Sequence, residues 1–321
     1  MSFTRKIMAV ASAVLISIGI AFSAGAPAQA GGLLTAPEAD WTGGQVTCKI
    51  IQFILEDEMG YKVKRITMPA GPGISAGMKA GDLDFACESW PSYSPSKEKY
   101  IAEYGGDGSV IKLGDAGIIG ATGYYVPRYM VEGPDAIAPD LKKITDLNNY
   151  VDLFKTIETG DKGRFVGCPV AAWACEDAER LEAQGLSDNF IFVELGSETA
   201  HWAELQAAYK RGEPFVFYTW EPHWIHAALD LVALEQLPFS ADNYLATAWA
   251  DDVTYNYGRP GMLTEHPAAS QLIINSYLTN DAQAGMILAI DVDGRDLDEV
   301  VREWMAANED TWRPWIPNTG N

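Results

Sequence analysis

The chain has 321 residues, 23 of them basic and 44 acidic, for a net charge of −21. So large a negative excess excludes nucleic acid and anionic lipid as partners, and no basic run offsets it. The length exceeds that at which one core usually stops growing, so two lobes are expected.

Arg5 and Lys6 precede the apolar run "IMAVASAVLISIGIAFSAG", and "APAQA" ends in Ala28-Gln29-Ala30. A charged start, an apolar stretch and an A-x-A end predict a secretory signal peptide over residues 1–30, cleaved before Gly31. No cysteine follows the run, which argues against a lipid anchor, and no later stretch has the roughly 18 apolar residues a membrane span needs. The expected mature chain is soluble and exported to the periplasm, with a charge of −23 once Arg5 and Lys6 are gone. Export permits disulfides, and four cysteines allow three pairings.

"QVTCKIIQFILEDEMG" places Val46, Ile50, Phe53 and Ile54 on one helical stripe, with Gly60 as a C-terminal stop. "YKVKRITM" follows as a strand. "GPG" at 71–73 reads as a turn, and "GISAGMKAGDLDFACESW" as a short helix, a Gly-Asp turn and a strand ending at Trp90. The order returns at "ETAHWAELQAAYKRGEPFVFYTW", a helix through Arg211 and a strand ending at Trp220. In "DLDEVVREWMAANEDTWRPW", Asp296 and Glu299 have capping-box spacing ahead of an amphipathic helix. Alternating short elements indicate an α/β fold, each lobe a mixed sheet flanked by helices. No Ser/Gly linker or internal repeat interrupts it, so the lobes are expected to meet where strands cross. Residues 31–120 with 253–321 are assigned to one lobe and 121–252 to the other.

Ligands in such sheets sit beyond the carboxyl ends of the strands. Two strands end there in "ESWPSY" and "YTWEPHW", and Trp173 sits between Cys168 and Cys175 in "GCPVAAWACE". Strand alternation puts Trp90 on the face of Glu88, and Trp220 on the face of Tyr218. Three indoles on one cleft suit a trimethylammonium group, which is cationic but has no N–H to donate. Aromatic faces recognise it at up to about 2 kcal/mol each when desolvated. A Glu88 carboxylate beside that box would attract the cationic head and repel a ligand carboxylate. That favours trimethylamine N-oxide, then choline, over glycine betaine.

"GDLDFACESWPSY", "YYVPRYM", "GCPVAAWACE" and "FYTWEPHW" together resemble the glycine betaine, choline and trimethylamine N-oxide binding proteins of ABC importers, periplasmic binding proteins of type II. The resemblance runs from about Trp41 to Trp315. It implies two α/β lobes closing on a ligand cleft, a box of Trp90, Trp173 and Trp220, and a membrane permease as partner. It also implies that the backbone N–H groups of Ala174 and Cys175 hold a ligand oxygen, and that Trp41 joins the box. The loop departs from the pattern by enclosing six residues where close relatives have five. Gly43 also stands where choline-type members carry an acid.

The disulfides expected are Cys168–Cys175, closing the tryptophan loop, and Cys48–Cys87. The second follows by elimination and because Cys87 faces away from Trp90, toward the helix of Cys48. Glu221, His223 and His226 in "EPHWIH" are read as packing and cleft-rim residues, since Pro222 disturbs the helix a metal site would need. "DVDGRDLDE" from Asp291 is read as a loop and helix cap, because the glutamate spacing of a calcium loop is missing. His201 and Trp202 are read as interlobe or packing residues. No nucleophile elbow, phosphate loop or paired catalytic motif occurs. The chain is therefore expected to be a monomeric binder without metal or cofactor. A secreted hydrolase of choline or betaine esters using the same box is the alternative.

Overall fold

The computed structural model describes residues 31–91, 96–173 and 175–318; the expected signal peptide, residues 1–30, lies outside them. Nine strands are described: β1 Leu33–Glu38, β2 Lys62–Thr67, β3 Phe85–Ser89, β4 Ile111–Pro127, β5 Gly163–Val166, β6 Phe190–Val193, β7 Val216–Glu221, β8 Leu231–Ala233 and β9 Asp252–Gly258. Among the described residues the helices of seven residues or more are α1 Thr42–Phe53, α2 Pro72–Ala80, α3 Asp177–Ala183, α4 Glu198–Arg211, α5 Pro267–Asn275, α6 Asn280–Asp291 and α7 Leu297–Ala307.

Strands β1 and β2 pair in parallel. The larger sheet runs β3-β9-β4-β7-β5-β6, with β8 also on β4. Its centre is antiparallel and its β7-β5-β6 edge parallel. The element that organises the whole is β4, 17 residues long. Its first part pairs with β9 as far as Gly120↔Asp252, and from Ala121↔Glu221 onward its partner is β7. The chain therefore passes from one half of the molecule to the other inside a strand, with no flexible linker.

Local chemistry accounts for the elements around it. The stripe Val46, Ile50, Phe53 and Ile54 on and just beyond α1 is buried, and Gly60 at φ +71° ends the helical run. Asp296 caps α7 by accepting from the Glu299 N–H at 3.1 Å. "GPG" differs from its reading as a plain turn. Gly71, at φ +120°, is the N-cap of α2, and Pro72 occupies the first helical turn, where its missing N–H costs nothing.

The sheet is covered by helices on the α1, α5 and α6 side. The main core is continuous across both halves, and a second cluster forms around Ile74, Met78, Leu83, Tyr255 and Tyr257. Both disulfides are present, Cys48–Cys87 with Cα atoms 5.4 Å apart and Cys168–Cys175 with Cα atoms 6.2 Å apart.

Candidate ligand site

Four indoles reach one cavity from four separate places in the chain. Trp41 precedes α1, Trp90 follows β3, Trp173 stands in the Cys168–Cys175 loop and Trp220 lies in β7. Ala70, Gly71, Glu88, Ser89, Tyr218 and Tyr257 complete the wall of a cavity of about 70 Å³. Trp173 meets Trp41 edge-on at 6.3 Å and Trp220 at 5.5 Å between ring centroids. Behind them Trp202 packs on Trp220 at 5.3 Å and on His223 at 4.2 Å. Two glycines make room for the rings. A Cβ at Gly120 would overlap the Trp90 indole, and one at Gly44 would overlap the Trp41 indole.

Glu88 is 1 % exposed. Its carboxylate accepts from Thr47 Oγ1 at 2.5 Å, Gln283 Nε2 at 2.6 Å and Trp90 Nε1 at 3.2 Å, and Trp41 also bonds to it. Burial raises its pKa, and these donors pull it back toward the anion. The carboxylate thus anchors two box walls while bordering the cavity itself.

Simple alternation does not place these residues. Between Ala86 and Ser89 the register with β9 shifts, and Glu88 adopts φ +57°. This β-bulge turns consecutive residues toward α1, so that Cys87 bonds Cys48 while Glu88 meets Thr47. Trp90 and Glu88 still share the cavity. The Tyr218 and Trp220 pair behaves as strand alternation predicts, and both line the wall.

A polar seam closes one side of the box. Asp40 accepts from Trp173 Nε1 at 3.0 Å and from the Ala70 N–H at 3.0 Å. The Thr42 N–H donates to Glu198 at 3.3 Å, and the Thr42 hydroxyl donates to Asp291 at 2.7 Å. Trp224 Nε1 donates to the other Asp291 oxygen at 2.9 Å. Glu198 also accepts from Trp202 Nε1 at 3.0 Å and contacts His223 Nε2 at 3.3 Å.

His223 Nδ1 accepts from the Ile225 N–H, so Nε2 carries the proton and donates. Burial holds the His223 pKa down at about 3, which makes this a neutral hydrogen bond and not an ion pair. Burial pushes Glu198 up to about 7, and it raises Asp291 as well. Glu198, His223 and Asp291 present ligand-type atoms within 4.8 Å of one another. Each is already engaged by the N–H groups above, so the cluster serves as a seam between α1, α4, α6 and the end of β7.

The remaining sequence candidates are placed as follows. Ala174 lies outside the described residues. Cys175 is buried in its disulfide and is not among the lining residues. His226 contacts the Trp220 carbonyl at 3.1 Å, while Glu221 is exposed. His201 is fully buried against the Tyr218 carbonyl at 3.0 Å, and Trp202 backs the box, so both are packing residues. Sequence reading missed Asp40, Thr47, Ala70, Gly71, Ser89, Tyr257 and Gln283. The only local signal was the "GP" helix start at Gly71.

The comparisons agree with this architecture. A family model described as the substrate binding domain of ABC-type glycine betaine transport systems (OpuAC) matches residues 34–307. The trimethylamine N-oxide-binding protein of Pelagibacter ubique is 25 % identical over 97 % of this chain and 99 % of its own length. The glycine betaine/proline betaine-binding periplasmic protein of Escherichia coli is 26 % identical over 81 % of this chain and 82 % of its own. Among solved structures, an ABC-transporter choline binding protein in complex with choline superimposes with a TM-score of 0.72 at 20 % identity, covering 88 % of this chain and 91 % of that one.

Proposed function

We propose, for a chain that belongs to the family of substrate-binding domains of ABC-type glycine betaine transport systems, that it captures a small methylated amine in the tryptophan-walled cavity and passes it to a membrane permease. The chain is a substrate-binding protein and not an enzyme, and the ester-hydrolase alternative finds no support among its relatives. The observation that carries the ligand class is the convergence of four indoles and one buried carboxylate on a single cavity. A methylated ammonium exchanges its hydration for aromatic faces there, and Glu88 supplies the opposite charge.

Size narrows the choice. At roughly 10–15 Å³ for each water-sized sphere, a cavity of about 70 Å³ admits a compact ligand. Trimethylamine N-oxide, with five non-hydrogen atoms, is the most compact of the three candidates. The Pelagibacter ubique relative carries the same ligand in its name. Trimethylamine N-oxide is therefore placed first, choline second, and glycine betaine, the family's namesake, third.

Closure follows from β4. With the lobes divided as 31–120 plus 253–321 and 121–252, the partner switch at Gly120 and Ala121 is the hinge. Asp40, Trp41 and Thr42 of one lobe then meet Trp173 and Glu198 of the other. Residues 1–30 act as the export signal, the mature protein works as a periplasmic monomer, and no metal or cofactor takes part. The test is calorimetric titration of the purified mature chain with the three amines. Tight trimethylamine N-oxide binding without turnover supports the reading, and no binding of any of the three overturns it.

A further inference from the structure

Glu88 is saturated by its donors, which leaves open how the cavity recognises the oxygen of its ligand. Tyr257 lies on β9, opposite Ala86 of β3 and Lys112 of β4 in the ladder, and lines the cavity. It is 8 % exposed, and its ring packs edge-on against Tyr255 at 5.9 Å. The other oxygen-bearing side chains of the wall are engaged: Ser89 bonds with Tyr255, Tyr218 has a partner, and Glu88 holds its donors. The Tyr257 hydroxyl has no hydrogen-bond partner among the described residues.

The side chain as a whole is largely buried, so a hydroxyl without a protein partner on a cavity wall is placed to bond whatever fills the cavity. We propose that Tyr257 donates its O–H to the oxygen of the bound methylated amine and thereby selects ligands that carry one. The proposal rests on the methylamine reading above. Burial raises the phenol pKa, so the group stays a neutral donor across the physiological range. An N-oxide oxygen, which concentrates negative charge on one atom, is the strongest acceptor for such a donor. A site built around a hydrogen bond rejects the analogue lacking the acceptor far more strongly than an apolar pocket rejects a methyl group. Tetramethylammonium, the same shape with a methyl in place of oxygen, is the matched probe.

The experiment titrates the parent and Tyr257→Phe with trimethylamine N-oxide and with tetramethylammonium, after thermal melts establish that both apo proteins are folded. Phe retains the ring and its packing on Tyr255. The expected result is a roughly tenfold weaker trimethylamine N-oxide affinity in the variant, with tetramethylammonium binding unchanged. Equal weakening of both probes would show that only packing was lost and overturn the proposal. So would a variant that binds trimethylamine N-oxide as tightly as the parent. A parent that binds neither probe overturns the methylamine reading itself, and the proposal with it.

Discussion

Substituting Glu88 by Gln tests the electrostatic basis of ligand choice. The carboxylate takes Thr47 and Gln283 on one oxygen and Trp90 on the other. Gln keeps one acceptor, so its amide NH2 must face either the Gln283 donor or the Trp90 donor. One buried N–H then loses its partner, at a cost of about 1–3 kcal/mol to the site as a whole. The loss of charge acts separately. At an effective dielectric of about 20, a unit charge roughly 5 Å from the ligand nitrogen contributes ~3 kcal/mol to a cation. Choline carries a full positive charge and should lose that attraction almost entirely. Trimethylamine N-oxide is a compact dipole and should lose less. Glycine betaine trades lost attraction at nitrogen for relieved repulsion at its carboxylate, so its affinity relative to choline should rise about tenfold or more. Competition calorimetry of the three amines against parent and variant measures this ranking. Glycine betaine binding tenfold tighter than both others in the parent, with the same order in the variant, would refute the reasoning.

Other expectations follow from the same geometry. Trp90→Ala, Trp173→Ala and Trp220→Ala should each weaken binding by about 1–3 kcal/mol while the apo fold persists, as titration and melting curves would register. Gly120→Ala, which drives a methyl into the Trp90 ring, should weaken binding comparably without touching the ligand directly. Mild reduction of Cys168–Cys175 should loosen the turn carrying Trp173 and raise the ligand Kd before global unfolding, a change that tryptophan fluorescence would follow. The seam gives a pH dependence. Burial lifts Glu198 from an ordinary 4.5 to about 7, and its Thr42 and Asp40 neighbours lie across the proposed cleft, so the proposed closed form takes up a proton. Its advantage is full below about pH 4.5, fades as pH rises to 7 and is then flat. Asp291, also raised by burial, acts in the same direction, and Asp40 adds its charge beside Glu198. His223 stays neutral because Trp202, Trp220 and Trp224 bury it. The full shift corresponds to about 3 kcal/mol, and closure would supply only the share that comes from across the cleft, since Trp202 and His223 lie on the same side as Glu198. A fivefold rise in Kd between pH 5 and 8, flattened in Glu198→Gln, is the expected profile, and a flat parent profile would remove the seam from the closing step.

The sequence by itself carried whatever is written in local periodicity and in unusual residues. The α1 stripe, the α7 cap and the return of helix and strand before Trp220 are local patterns, and the structure keeps them. The indoles stood out because large aromatics at strand ends are costly to leave in the open without a ligand. Both cysteine pairs were legible, Cys168–Cys175 from its short loop and Cys48–Cys87 by elimination, although the bulge at Glu88 removes the strand parity that also pointed to the second. Tertiary structure alone decided the rest. The bulge at Glu88 depends on how β3 sits on β9, and no local residue announces it. Two of the donors on Glu88, Thr47 and Gln283, come from α1 and α6, up to 195 positions away in the chain. Tyr257 looked like any strand tyrosine until the fold placed it on the cavity wall with no hydrogen-bond partner for its hydroxyl among the described residues. Asp40 and Thr42 acquire a role only when Trp173 and Glu198 fold against them, because a hydrogen bond across a cleft depends on distance in space, which local sequence does not encode.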